Sequence, residues 1–574
     1  MGIRRVPVFV WYNISISGGV MDMSKLPIEG VLPELKEKLR SGVNAVLIAA
    51  PGAGKTTRVP LALLEEPWLN GRRILMLEPR RLAARSAASY MASQLGEQVG
   101  ETVGYRVRLD TRVSTKTRVE VITEGVLTRM LQSDPSLDDV GAVIFDEYHE
   151  RSLQADLGLA FCLQSQAVLR EDLRILVMSA TLEAEPVAQL LKEAPVIISE
   201  GRSFPVDTHY LERRIEGPME PVVARKIKEA LENHEGDILV FLPGAGEIRR
   251  VETRLREQEL GKNIRIAPLY GNLSQKWQDE AIASSRKGER KVVLATSIAE
   301  TSLTVEGVEV VIDSGWMRVP RFSPRTGMTR LETIRVTRSS ADQRRGRAGR
   351  LGPGTCYRLW TKEEDRQLAP SANPEILQTD LSQLALELAA WGIYDPEELA
   401  WLDPPPYAAL SKARDLLLQL GALGKDGRMT PHGRSIAESG LHPRLAHMIL
   451  KAMSAGLGGM ACEVAALLNE RDLLRGVADA DFRLRLEALH EAKANLDLTV
   501  VKRILAEADH WKRVFEIRAG GEQHADACGI LLAFAYPDRI AQQRGTGNFL
   551  LRNGRGAALT QVQRLSNHPF LAVA

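Results

Sequence analysis

The sequence predicts an α/β protein through residue 362, built as two parallel, doubly wound sheets in tandem, followed by a largely helical remainder. Three observations carry this. Short runs of β-branched and aliphatic residues alternate with amphipathic stretches, the pattern of strands that pair in parallel through helical crossovers. One Gly-rich loop, AAPGAGKTT (49–57), lies where the first of these strands would pass into a helix. Beyond residue 362 the apolar period changes to that of helices, with short strand-like runs only near the end.

Composition bounds the problem. Of 574 residues, 44% are hydrophobic and 26% charged, as in a globular protein, and the net charge is +2, so no global basic field advertises nucleic acid. Cys162, Cys356, Cys462 and Cys528 are far apart in sequence, with no C-x-x-C pair. That argues against a structural metal or a disulfide framework and for a reducing, cytoplasmic setting. No apolar run is long enough to span a membrane. Residues 1–23 stand apart: Arg4 and Arg5 precede VPVFVWY, faintly like a leader, but Asn13 breaks the run. Met21 and Met23 precede the first helical pattern, so a tail or an upstream mis-assigned start is expected.

In the first unit, Ala45–Ala49 reads as a strand, the loop follows, and Arg58–Leu64 continues as an amphipathic run. Gly52, Ala53 and Gly54 let backbone N–H groups face phosphates at a helix N-terminus, where the helix dipole favours anions. Lys55 would reach the β/γ-phosphates, Thr56 would offer its hydroxyl to Mg²⁺, and Thr57 completes the loop. Ala49 stands where the usual pattern has its first Gly. Further strands are expected at 72–79, 118–125, 141–148, 173–181 and 194–199. The fourth of these six, VIFDEYHER, ends in Asp146 and Glu147. Sheet ends of this kind bind ligands. Asp146 would share the Mg²⁺ with Thr56, and Glu147 would ligate it or polarise the attacking water. The bland alternative, a strand ending in solvated acids, is displaced by the phosphate loop upstream. PRR (79–81) and TEG (123–125) end other strands and would line a second groove, while Ser179 and Thr181 of MSAT (178–181) end a strand near the nucleotide edge.

GRSFPV (201–206) marks a linker, and a second alternating unit follows at 236–248, 264–274, 290–304 and 308–315. It has no phosphate loop of its own; FLPGAGEI (241–248) lacks the Gly-Lys-Thr end and reads as a turn into a helix. A nucleotide clamped between the units is expected. QRRGRAGR (343–350) supplies such a clamp: Arg347 and Arg350, three apart, would share one helix face and present two guanidinium forks to transition-state phosphoryl oxygens. The bland alternative is a solvated basic helix start or a structural anion site. RVPRFSPRTGMTRLETIRVTR (318–338) alternates on both sides of Pro324–Gly327 and reads as a long β-hairpin. From Arg318 to Arg350 there are ten Arg and two acids, a local basic path suited to a phosphate backbone.

The series APGAGKTT, PRR, TEG, DEYH, SAT, ATSIAETSLT and QRRGRAGR resembles, in this order, the DEAH/RHA-type RNA helicases of superfamily 2. LPIEGVLPEL (26–35), DEYHERSLQADLGLA (146–160), WLDPPP (401–406) and AYPDRIAQQR (535–544) point to the bacterial HrpB-type branch. The resemblance implies two RecA-like domains, at 24–200 and 201–362. It also implies a winged-helix-like module at 363–435, a helical bundle at 436–534 and the start of an OB-like barrel at 535–574, with a further C-terminal domain expected after the apolar run at the end. It implies ATP or another NTP with Mg²⁺, and 3′-to-5′ movement on single-stranded RNA, DNA remaining open, by a monomer. His149, Ser179 and Thr181 would couple nucleotide state to domain closure. Gln343, Arg347 and Arg350 would face the γ-phosphate. Arg80, Arg81, Thr123, Thr296, Thr301 and, on the hairpin, Arg325 would contact the RNA backbone. The sequence departs twice from the pattern: Tyr148 replaces the Ala of DEAH, and Gln378 follows the PEI segment (374–376) where Arg is usual in eukaryotic members. Two rival functions remain open, an RNA-stimulated NTPase that remodels complexes without processive unwinding and an idle RNA-binding scaffold; a small-molecule kinase would not need the second unit. His442, His447, His490 and His510 are expected to be ordinary helix histidines, not ligands.

Overall fold

The structure, a computed structural model, describes residues 26–574 except 51, 108–109, 181–183, 202–203, 259, 262, 272, 274, 301–304, 324–326, 351, 471, 475–476, 478, 492–495, 497 and 518–524. Thr181, Thr301, Arg325 and the leader-like N-terminus lie outside the described residues.

The first unit contains β1 (Asn44–Ala49), β2 (Arg73–Glu78), β3 (Val103–Val107), β4 (Asp110–Arg112), β5 (Val119–Thr123), β6 (Val140–Phe145), β7 (Arg174–Ser179) and β8 (Val196–Ser199). They form one sheet in the order β4-β3-β5-β2-β6-β7-β1-β8, parallel except for the β3–β4 pair. Strands β1 and β6 are buried along their whole length, which is why they read as unbroken apolar runs and not as alternation. The carboxyl ends of β1, β2, β6 and β7 therefore lie side by side and carry the phosphate loop, Glu78, Asp146 and Ser179. The second unit contains β9 (Val206–Tyr210), β10 (Asp237–Phe241), β11 (Ile264–Leu269), β12 (Arg290–Ala295), β13 (Val308–Asp313), β14 (Trp316–Ser323), β15 (Met328–Arg335) and β16 (Gly354–Arg358). Its parallel sheet runs β11-β12-β10-β13-β16-β9. The expected hairpin is β14–β15, antiparallel over eight pairs from Trp316↔Arg335 to Ser323↔Met328.

Four strands were not expected from the sequence: β3 with its partner β4, and β9 with β16, which pair to close the second sheet. β9 begins at Val206, the last residue of the segment read as a linker. Within the winged-helix-like stretch, GRMTPHGRSIAES (427–439) makes a single bridge, Leu423↔Met429. The rest is a helix, Pro431–Ser439, started by the Thr430 side chain, which accepts from the Gly433 N–H, and by Pro431 at the first turn. That helix crosses the expected boundary at 435. The terminal sheet is antiparallel, with β17 (Ile540–Gly545), β18 (Asn548–Leu551), β19 (Gly556–Ala558) and β20 (Phe570–Ala572) in the order β19-β18-β17-β20. The apolar terminal run is therefore paired, Ala572 facing Ile540.

The helical region is not a separate bead. One hydrophobic core cluster runs from Val143, Phe145, Leu157 and Phe161 of the first unit through Leu384 and Leu388 into Ile449, Val464 and Leu531. Phe161 stacks on Trp391 with centroids 4.3 Å apart. At this seam the Glu387 carboxylate is buried and accepts from Gln383 Nε2 (2.8 Å) and Gln154 Nε2 (3.5 Å). Burial pushes its pKa up from 4.5 to about 7, against the two amide hydrogen bonds. A raised carboxyl pKa means that the folded chain keeps a proton the unfolded chain has lost. The stability this gives is complete below the unfolded value and disappears as pH rises through the folded one, about 3 kcal/mol in all. Glu387→Gln is thus expected to stabilise the protein at pH 8 by up to about 3 kcal/mol and to change little near pH 4.5, as melting curves at the two pH values would show.

Among the described residues no helix is long and apolar enough to cross a membrane, and the four cysteine thiols are buried and unpaired. His442 bonds the Arg444 N–H and Ser382, His447 bonds His432, and His490 bonds Glu463.

Candidate nucleotide site between the two sheets

The loop after β1 owes its shape to its glycines. Gly52 and Gly54 have φ of 87° and 94°, a left-handed conformation that costs a side-chain-bearing residue roughly 1–2 kcal/mol. At Gly54 a Cβ would also come within 2.7 Å of Leu26 Cδ1. The 3₁₀ turn Pro27–Gly30 covers the loop from behind, the buried Ile28 donating its N–H to the Ala53 carbonyl (3.2 Å). The helix Lys55–Leu63 starts directly at the loop, with Lys55 and Thr56 in its first turn.

Lys55 Nζ lies 2.7 Å from Glu147 Oε1 and 3.6 Å from Asp146 Oδ1. The Thr56 hydroxyl donates to Asp146 Oδ2, and the Glu147 N–H donates to Asp146 Oδ1 (2.8 Å). Burial works against the Lys55 ammonium, but Asp146 and Glu147 outweigh it and raise its pKa. Burial likewise works against the Glu147 carboxylate, yet Lys55 first, then His149 and least of these Arg347 hold its pKa down to about 2. Asp146 goes the other way, pushed up by burial more than Lys55 pulls it down. Glu147 sits at φ 50° and Arg151 at φ 49°, bracketing the 3₁₀ turn Tyr148–Glu150. Two strained residues around so short a turn are the kind of backbone found where a side chain must be aimed. His149 accepts from the Ala180 N–H at Nδ1 (3.3 Å), which ties the box to the end of β7 beyond Ser179.

Three acids meet here, because the buried Glu78 ends β2 beside the strand that leads to Asp146, and burial together with Asp146 and Glu147 pushes its pKa well up. Glu78 Oε2 and Glu147 Oε2 are both buried without a hydrogen-bond partner. Among the described residues no three acid, histidine or cysteine side chains converge as a metal site by themselves, but the Asp146 and Glu147 carboxylates beside the Thr56 hydroxyl are the oxygen donors that Mg²⁺ takes together with substrate phosphates. Thr56, Asp146 and Glu147 are the residues that would hold Mg²⁺. Glu78 was not foreseen from the sequence, where it is one acid at the end of LMLEP; its register beside the Asp146 strand is the signal.

The second sheet supplies the opposite charge. The helix carrying QRRGRAGR ends at Arg345, so Arg347 and Arg350 do not share a helix face, contrary to the expectation from spacing. They stand on the turn that follows, because the chain must leave the helix to pass against the start of β9. Gly349 accepts the Phe204 N–H there (3.0 Å), and a Cβ on it would come within 2.7 Å of the Phe204 carbonyl. Both arginines still reach the cleft. Arg347 Nε donates to the Glu300 carbonyl (3.0 Å), and Arg350 Nε lies 4.0 Å from where a Gly52 Cβ would be. Burial and the neighbouring Arg350 press the Arg347 pKa down, and burial presses Arg350 to about 10, with Glu147 opposing in both cases. Two desolvated guanidinium groups side by side form a site for an anion. Gln343 is half-buried and lines the same cleft. Arg344, between them, is structural: it is buried against Glu300 (3.0 Å) and Asp313 (2.8 Å) and lies over Phe241. The cleft as a whole, about 1790 Å³, is lined by Gly52, His149 and Ser179 from one unit and Gln343, Arg347 and Arg350 from the other.

The expected RNA contacts are placed less uniformly. Arg81 is exposed at the start of the helix Arg81–Gln94. Thr123 ends β5 and Thr296 follows β12, both half-buried. Arg80 spans the two units, donating to the Ile298 carbonyl (3.1 Å) and to Glu150 (3.2 Å). The basic path is weaker than its composition implied. Arg318 pairs with Glu247, Arg321 with Glu332, Arg335 with Glu364 and Arg344 with Glu300 and Asp313. Most of those acids come from outside the 318–350 stretch, so a count within it could not reveal them.

Comparison with known proteins agrees with this geometry. Residues 31–190 match the model of the DEAD/DEAH box helicase family, and residues 223–352 match the helicase conserved C-terminal domain. The chain is 46% identical over 550 residues to the ATP-dependent RNA helicase HrpB of Escherichia coli (strain K12), covering 96% of this chain and 66% of that protein. It is 33% identical over 469 residues to the probable ATP-dependent RNA helicase DHX35 of Homo sapiens, covering 78% of this chain and 67% of that protein. A crystal structure of the Escherichia coli DEAH/RHA helicase HrpB superposes with a TM-score of 0.84 at 44% identity, over 95% of this chain and 67% of that one. The chain thus spans about two-thirds of the length of its relatives. With two parallel sheets facing each other across one nucleotide cleft, the chain belongs to the DEAD/DEAH-box helicases, in their HrpB-type DEAH/RHA branch.

Proposed function

We propose that the protein is an ATP- and Mg²⁺-dependent RNA helicase or translocase that moves 3′-to-5′ on single-stranded RNA. The observation that carries this reading is the confrontation, across one cleft, of Gly52 and His149 with Arg347 and Arg350, the charges of both arginines being felt by Glu147 in its buried pair with Lys55. Neither half completes a phosphoryl-transfer site alone. Mg²⁺, when bound, supplies charge neutralisation on the phosphate oxygens. The chain's own groups do the rest. Backbone N–H groups of the glycine loop hold the phosphates. Lys55 exchanges Glu147 for the phosphate chain. Glu147, freed, accepts the proton of the attacking water, and the two arginines take up the charge on the oxygens of the transferred group. Because one half of the site belongs to each sheet, hydrolysis changes how tightly the sheets are held together. Arg80, with one hand on each unit, lies where that change would meet the RNA backbone. The 3′-to-5′ direction rests on the resemblance alone. The buried, unpaired thiols support a reducing, cytoplasmic setting.

Steady-state hydrolysis with single-stranded RNA against matched DNA, at fixed salt, is the direct test, followed by release of a strand from a tailed duplex. RNA stimulation with strand release is expected. Stimulation without release would favour remodelling over unwinding, and absence of turnover would leave a scaffold. A backbone grip also predicts a steep salt response. For about five neutralised phosphates, RNA affinity should fall roughly 10²-fold between about 50 and 200 mM salt, with little dependence on base sequence.

A further inference from the structure

The residue at which the box departs from its family, Tyr148, is not a passive filler. Its ring is buried edge-to-face against Phe145, with centroids 6.2 Å apart, and its hydroxyl donates to Asp156 Oδ1 (2.8 Å). Asp156 is gripped on the same side by Arg151, Nε to Oδ1 at 3.1 Å and Nη2 to Oδ2 at 3.0 Å. Arg151 Nη2 also donates to Asp403 Oδ2 (2.7 Å), in the LDPPP segment that leads into the helix Tyr407–Gln419. The backbone is fastened at the same place: the Arg151 carbonyl accepts from the Glu375 N–H (3.0 Å), and the Glu375 carboxylate accepts from the Leu153 N–H (2.8 Å).

We propose that Tyr148, Asp156, Arg151 and Asp403 form a strut through which the region beyond residue 362 sets the aim of the Glu147 carboxylate, so that RNA-dependent stimulation of hydrolysis passes along it. The proposal rests on the function assigned above. Its physical basis is the turn from Glu147 to Arg151. Both ends are left-handed and one 3₁₀ turn separates them, so the turn has few alternative shapes and a shift at Arg151 is transmitted to Glu147. A bidentate arginine–carboxylate contact fixes direction as well as distance, which a lone charge would not. An Ala at 148 would leave Asp156 held by Arg151 alone. These four are positioning residues: none of them touches the reacting atoms.

Asp403→Asn and Tyr148→Phe in the full chain test this. Asp403 is partly exposed, so its substitution is not expected to disturb folding; melting curves check Tyr148→Phe, and Asp403→Asn decides if that variant is unstable. Asp403→Asn is expected to leave hydrolysis without RNA, and KM for ATP, within about twofold. RNA-stimulated kcat should fall about fivefold or more, the lower end of ordinary coupling between sites. Tyr148→Phe should lower the stimulated kcat likewise, and the double variant should be no worse than the poorer single one, because both cut one chain of contacts. Full RNA stimulation in both variants, or losses that simply add, would overturn the strut while leaving the functional reading intact. A wild-type protein that hydrolyses ATP without any response to RNA would overturn the functional reading itself.

Discussion

Glu147→Gln is expected to lower kcat by at least about 10²- to 10⁴-fold while leaving ATP affinity within a few-fold of wild type. The substitution keeps the shape of the side chain and removes its ability to accept a proton. Lys55 loses the charge of its 2.7 Å partner, whose amide oxygen can still accept, and keeps Asp146 at 3.6 Å, so its ammonium remains positioned for the phosphates. The magnitude follows from what Glu147 does in this fold. Held by Lys55 with a pKa of about 2, the carboxylate is a poor base. It becomes a useful one only when Lys55 turns to the phosphate chain, which couples basicity to the presence of substrate. Glutamine cannot make that transition. Isothermal titration with a non-hydrolysable ATP analogue, alongside single-turnover hydrolysis, separates the two effects. Wild-type turnover in the variant would remove Glu147 from the role of base and leave it a metal or lysine partner.

The first unit's chemistry was legible in the sequence because its parts are contiguous. A phosphate loop is written in one stretch, and buried parallel strands such as β1 and β6 appear as solid apolar runs whose last residues are necessarily at the sheet edge. Where a strand is half-exposed or short, that signal fails. β9 alternates between half-buried and exposed positions, β16 is only partly buried, and β4 has three residues, so none announces itself. The hairpin was legible for the opposite reason, alternation on both sides of a turn. The second unit's contribution was legible as residue types but not as geometry. Two arginines three apart suggest a helix, whereas Gly346 and the approach of β9 end the helix first. Contacts between distant segments were not legible at all. Nothing in DEYHER names Asp403 as its partner, and nothing in QRRGRAGR says that Arg344 belongs to Asp313 while its neighbours belong to the cleft. Charge counting failed in the same way, since apart from Glu332 the acids that pair with the hairpin arginines lie elsewhere in the chain.

Arg347→Ala and Arg350→Ala are each expected to lose about 10³-fold in kcat, the scale of an arginine that stabilises a transferring phosphoryl group. The two should differ in what else they change. Arg347 is buried and already tied to the Glu300 carbonyl, and Glu147 feels its charge. Its loss should therefore also loosen the Glu300 loop and raise the Glu147 pKa, shifting the acid limb of the kcat profile upward. Arg350 stands closest to Gly52 of the phosphate loop, so its loss should weaken binding of ATP more than that of ADP and leave the pH profile in place. Lysine should rescue neither variant fully. A point charge recovers part of the attraction, but two guanidinium forks set side by side recognise oxygens in pairs. A loss below tenfold in both variants, with unchanged nucleotide affinity, would mean that the two groups hold the domains together rather than the transition state. The same experiment weighs the resting ion pair between Lys55 and Glu147. If Arg347 helps keep Glu147 ionised, Arg347→Ala and Glu147→Gln should combine less than additively, since the second removes the charge on which the first acts.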